Sequence, residues 1–259
     1  MAERRDAVEG WLFGGALAGL VGGAWAVLGL LAASPYAPYL GHDLGVADGD
    51  AGVAAARLAI FLGGWLLMSI AMMLPSSLPL VTVFRTITGG SWRLVALLIA
   101  GYLWVWGLFG VAAAIADAGL HALVDGSPWL AARRHVVPAA LLLTAGLFQF
   151  SPLKRSCLER CRSPIGFVIQ HWRGARRALQ AFALGNRHGL FCVGCCWGLM
   201  LVMFAAGAVN LGWMLALGAV MFAEKAVSWG RWVTAPAGAL LALWGLGLLL
   251  RVPGVPAPF

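Results

Sequence analysis

Three of the five cysteines fall within His188-Gly-Leu-Phe-Cys192-Val-Gly-Cys195-Cys196-Trp197. On a helix, His188, Cys192, Cys195 and Cys196 follow i, i+4, i+7, i+8 spacing and can share one face. Imidazole and thiol are ligands for soft or borderline metals, copper(I) or zinc. The same groups are the raw material of thiol–disulfide exchange. The other two cysteines, Cys157 and Cys161, form Cys-x-x-x-Cys about thirty residues earlier. Neither spacing is that of a zinc ribbon.

These residues sit in a chain that is 61% hydrophobic and 11% charged, with a net charge of +8. Apolar runs of about 20 residues predict membrane-spanning helices. The thirteen tryptophans, several of them flanking those runs, suit interfacial anchors. The expected fold is therefore all-α: a single polytopic transmembrane domain over residues 1–259. No spacing suggests a nucleic-acid module, and the partner implied by composition is the lipid bilayer.

Seven spans are predicted, about 11–33, 56–84, 94–116, 136–150, 189–209, 213–229 and 232–250. The second is interrupted by Met72-Met73-Leu74-Pro75-Ser76-Ser77-Leu78-Pro79, and proline inside a helix predicts a kink. Met68, Met72 and Ser76 share a face of it, and methionines there serve as core filler unless something else demands them. The segment 35–50, with His42 and three aspartates, reads as an exposed loop.

The connection 151–187 carries Lys154, Arg155, Arg160, Arg162, Arg173, Arg176, Arg177 and Arg187 against Glu159 alone. Within it, Val168, Trp172, Ala175, Leu179 and Phe182 form an apolar stripe, which predicts a basic amphipathic helix lying on the membrane surface. With the N-terminus inside, only Arg57, Arg133, Arg134 and Arg251 of the 18 basic residues fall outside. That asymmetry predicts a bacterial inner-membrane protein with a cytoplasmic N-terminus and an external C-terminus.

This topology puts all five cysteines at the cytoplasmic face, where structural disulfides are disfavoured. The cluster is expected at the N-terminus of the fifth span. There the helix dipole and Arg187 would favour the thiolate that binds metal. Cys157, Cys161, His188, Cys192, Cys195 and Cys196 are the candidate metal ligands. Met72, Met73 and Met200 are secondary candidates that extend a thioether route with Met68 and Met203. Glu224 is a further candidate, as an intramembrane carboxylate, while its neighbour Lys225 can snorkel to the inner surface. His171 reads as an interfacial histidine, and His42 and His121 lie on the opposite side.

Met72-Met73-Leu74-Pro75-Ser76, Ser151-Pro152-Leu153-Lys154-x-x-Cys157-x-x-x-Cys161-Arg162-Ser163-Pro164, the His188–Met200 stretch and Glu224-Lys225 occur in this order. In these motifs the chain resembles the bacterial family described as predicted metal-binding integral membrane proteins. The resemblance runs from the second to the sixth predicted span. It implies membrane location and a metal site, and carries no catalytic mechanism.

The expected function is to bind, deliver or transport a transition metal, copper or zinc, through the cytoplasmic Cys/His cluster. Methionine favours copper, and the partners would be a metal chaperone or a membrane complex. Two other readings stay open: a membrane thiol–disulfide oxidoreductase, and a non-catalytic assembly or interaction protein in which the cysteines only pack. The absence of cysteine from the outer half counts against a transmembrane electron relay and so against an enzyme.

Overall fold

A computed structural model describes residues 2–34, 51–206 and 210–253. The described residues form ten helices and no strand: α1 (Ala2–Ala32), α2 (Ala51–Ile87), α3 (Trp92–Asp125), α4 (Pro128–Ala131), α5 (Val136–Phe148), α6 (Pro152–Cys161), α7 (Pro164–His171), α8 (Arg177–Ala206), α9 (Leu211–Ala226) and α10 (Arg231–Leu249). The loop expected around His42 lies outside the described residues.

Among the described residues four helical segments are long and apolar enough to cross a membrane: Gly10–Ala32, Ala55–Ile87, Trp92–Asp125 and Arg231–Leu249. A fifth is available if α5 and α6, bent by 63° at their junction, count as one broken span. α8 and α9 fall outside this set, so length and hydropathy support four or five of the seven expected spans. Large apolar side chains such as Trp11, Trp104, Ile115, Trp232 and Leu240 stand exposed along the outside of the bundle, where a soluble protein would place polar groups.

The expected amphipathic helix over the basic connection is not continuous. Ser151 and Ser163 each precede a proline at the start of a helix, and the Ser151 Oγ accepts from the Lys154 N–H at 3.1 Å. Serine at the cap and proline in the first turn both favour initiation. Two short helices result. α7 stops at His171, where Trp172 turns extended, and Gly174 and Arg176 then take left-handed backbone angles, φ 78° and 43°. α8 then starts at Arg177. The stripe is divided accordingly: Val168 is buried and Trp172 packs edge-on against Phe84 of α2, whereas Leu179 on α8 is exposed.

α2 continues through both prolines rather than breaking at them. Pro75 has no N–H for the carbonyl of Ala71, four residues back. Trp25 of α1 supplies the missing donor: its indole Nε1 donates to the Ala71 carbonyl at 3.2 Å. α3 and α8 cross at close range through glycine. A Cβ on Gly101 would run into the Phe182 carbonyl, and one on Gly185 into the Leu98 carbonyl. Small residues of this kind let transmembrane backbones approach.

Candidate metal centre

α8 begins twelve residues before the expected span. Cys192, Cys195 and Cys196 therefore lie in mid-helix, and a helix N-terminus cannot be what stabilises a thiolate there. All three are wholly buried. Cys195 Sγ donates to the Cys192 carbonyl at 3.2 Å and lies 3.4 Å from Cys196 Sγ. Cys192 Sγ faces two polar groups from other helices: Tyr102 Oη of α3 at 3.0 Å and Lys225 Nζ of α9 at 2.9 Å.

α6 brings the second cysteine motif to the first. Cys157 packs on Gly194, where a Cβ would stand 2.7 Å from its Sγ. The glycine is thus what admits the sulfur to the face of α8. Cys161, partly exposed, packs against the same core. The two motifs meet at Gly194.

α6 is held in this position by charge. Lys154 Nζ donates to Glu224 Oε2 at 2.7 Å, with both side chains buried, and Gln149 Nε2 donates to Oε1 at 3.3 Å. Arg162 closes the end of α9 by donating to the carbonyls of Glu224, Val227 and Ser228. Glu224, a candidate oxygen ligand, is thereby engaged as an ion-pair partner. Sequence reasoning treated Lys154 as one more surface charge, and no local pattern marks a partner seventy residues away.

His188 leaves the cysteines for α2. Its Nε2 pairs with Ser77 Oγ at 3.2 Å and its ring stacks on Tyr102, while Nδ1 is buried without a partner. His171 is half-buried and binds the Phe167 carbonyl through Nδ1; His121 binds the Asp117 carbonyl in the same way on an exposed stretch of α3.

The methionines converge. The chain has eight, and the seven among the described residues are all buried in a single core that also contains Cys157, Cys192, Cys195 and Cys196, with Cys161 packed against it. Met68, Met72 and Met73 come from α2, Met200 and Met203 from α8, and Met214 and Met221 from α9. Met72 lies against Gly218, while Met73 Sδ is 3.9 Å from Lys225 Nζ. The last two methionines and Lys225 were missed as site residues; the i, i+7, i+11 spacing of Met214, Met221 and Lys225 was the available signal.

Among the described residues no three His, Cys, Asp or Glu side chains are arranged to hold a metal ion. What converges instead is a set of thiols and thioethers around one amine, with the nearest carboxylate already paired. Thiolate and thioether donors suit copper(I), whereas harder ions take carboxylate oxygens. A family model described as "PpoB2: Copper chaperone" matches residues 62–248. No curated protein and no solved structure matches the chain.

Proposed function

The chain belongs to this copper chaperone family, and from that premise we propose that it is a membrane-embedded handler of copper(I), with the metal as cargo. Cys192, Cys195 and Cys196 are the thiols from which the cargo would draw sulfur ligands, alongside the thioethers, since no three of these thiols converge on one point. Cys157 and Cys161 on α6 connect that site to the cytoplasmic face, since Cys161 is the one cysteine with partial exposure. Met73 and Met200 border the site, and Met72 belongs to the thioether core behind it. His188 acts by fixing α8 to α2 through Ser77, and Glu224 by fixing α6 through Lys154.

The observation that carries this reading is the single core that gathers four cysteines and seven methionines from α2, α6, α8 and α9. Methionine alone serves as filler in many cores. Its concentration against buried thiols, on helices far apart in sequence, gives a soft monovalent ion a low-dielectric path lined with sulfur.

The bilayer placement completes the proposal. α1, α2, α3, the bent pair α5–α6, α8, α9 and α10 make seven crossings of a bacterial inner membrane, with the N-terminus in the cytoplasm. α8, 30 residues long, is about 45 Å at 1.5 Å per residue and spans the hydrocarbon core with its first turns inside. Handover to a metal chaperone or a membrane complex would take place at the α6–α7 face. The test is anaerobic titration of purified protein with copper(I) against a chromogenic chelator. Wild type retains copper, and Cys192→Ser with Cys195→Ser does not. Equal retention by both proteins would overturn the proposal.

A further inference from the structure

Lysine is rare in this chain. Lys154 and Lys225 are the only two, every other basic residue being arginine. Both are buried. Lys154 has Glu224. Lys225 lies one residue before the end of α9, within reach of the interface for a flexible side chain, yet it turns inward.

An ammonium has three donors and no acceptor. Those of Lys225 face Cys192 Sγ at 2.9 Å, Ser76 Oγ at 3.4 Å and Met73 Sδ at 3.9 Å. Two of the three partners are sulfur. Among the described residues no carboxylate pairs with it, since the neighbouring Glu224 is taken by Lys154. A buried charge is costly unless compensated, and here the compensation comes from the same sulfurs that suit a soft cation. Lysine also fits the position better than arginine would: it is a compact point charge, without a planar fork that demands oxygen partners.

We infer that Lys225 is a built-in stand-in for the cargo, its ammonium holding the place between Cys192 and Met73 that copper(I) takes on binding. This deepens the copper(I) reading above and rests on it. The exchange balances with Cys192 a thiolate in both states: the ammonium leaves its sulfur, copper(I) takes its place, no proton is lost, and the charge of the sulfur core is the same with and without cargo. The amine withdraws toward the end of α9 as the metal enters. Because the site is open only while the amine is away, the apparent affinity is reduced by the fraction of open molecules. A chaperone gains from this, since the returning amine helps to release the metal.

The experiment compares wild type with Lys225→Gln in copper(I) competition against a chromogenic chelator, and adds lysine acylation of wild type read by mass spectrometry. The variant is expected to hold copper(I) about tenfold more tightly or better, and to release it correspondingly more slowly. In wild type, copper(I) loading is expected to raise acylation at Lys225 relative to Lys154, which serves as the internal standard. Equal or weaker binding by a variant with the wild-type melting temperature would overturn the inference. So would unchanged or reduced acylation of Lys225 in loaded wild type, a result that holds even if the variant does not fold. Wild type that binds no copper(I) would remove the cargo reading itself, and is distinguishable from both.

Discussion

Lys154 on α6 and Glu224 on α9 form an ion pair of 2.7 Å in which neither side chain is more than 1% exposed. The pair sets the distance of Cys157 from α8, because Cys157 follows Lys154 by less than one turn. Removing one partner leaves a buried charge alone, which costs about 3–5 kcal/mol, whereas removing both together costs far less. Lys154→Met should therefore lower the melting temperature in detergent strongly, and Lys154→Met with Glu224→Gln should recover most of the loss. The single variant should also release α6, seen as faster maleimide labelling of Cys157. Equal stability of the single and double variants would show that the pair does not hold α6.

Trp25 and Pro75 make a second pair whose energies should be coupled. The Trp25 indole supplies the donor that Pro75 withholds from the Ala71 carbonyl. Trp25→Phe should cost about 1–3 kcal/mol by leaving that carbonyl unsatisfied. In a Pro75→Ala background the alanine N–H reaches the same carbonyl, so Trp25→Phe should cost less. A double-mutant cycle by chemical denaturation reads the difference directly. Additive losses would mean that the indole contributes only packing.

Gly194 tests the joint between the two cysteine motifs. A methyl group there would stand 2.7 Å from Cys157 Sγ, and overpacking of this kind costs about 1–3 kcal/mol. Gly194→Ala is expected to destabilise the protein and weaken copper(I) retention. Adding Cys157→Ala should restore stability by making room, without restoring retention.

The proposed orientation predicts that reporters fused after Arg93 and Gly174 are cytoplasmic, and that those inserted near Arg133 or after Val252 are external. Reporters at the N-terminus and after Val252 on the same side would require an even number of crossings.

Much of this was legible because apolar runs and charge asymmetry report bilayer constraints locally. The i, i+4, i+7, i+8 pattern implies a shared helix face for Cys192, Cys195 and Cys196, and the structure buries all three. It could not show where their helix begins. Arg177 and Arg187 look like surface charge, yet Ala181 and Leu184 between them are buried where α8 crosses α3. The surface stripe was misread because Val168 and Leu179 match a helical period only if Gly174 is ignored. His188 shares the cysteine spacing but rotates to Ser77, a choice made by α2, more than a hundred residues away. Lys154 and Lys225 were hidden for the same reason: an intramembrane lysine acquires meaning from its partner, and both partners lie on other helices.

The most direct measurement is copper K-edge X-ray absorption of the protein loaded anaerobically with copper(I), for wild type and for Cys192→Ser. Wild type should show a copper(I) edge and a first shell of sulfur alone, and the variant should lose sulfur from that shell. A shell dominated by nitrogen or oxygen, or one unchanged by Cys192→Ser, would contradict a thiol–thioether core as the copper site.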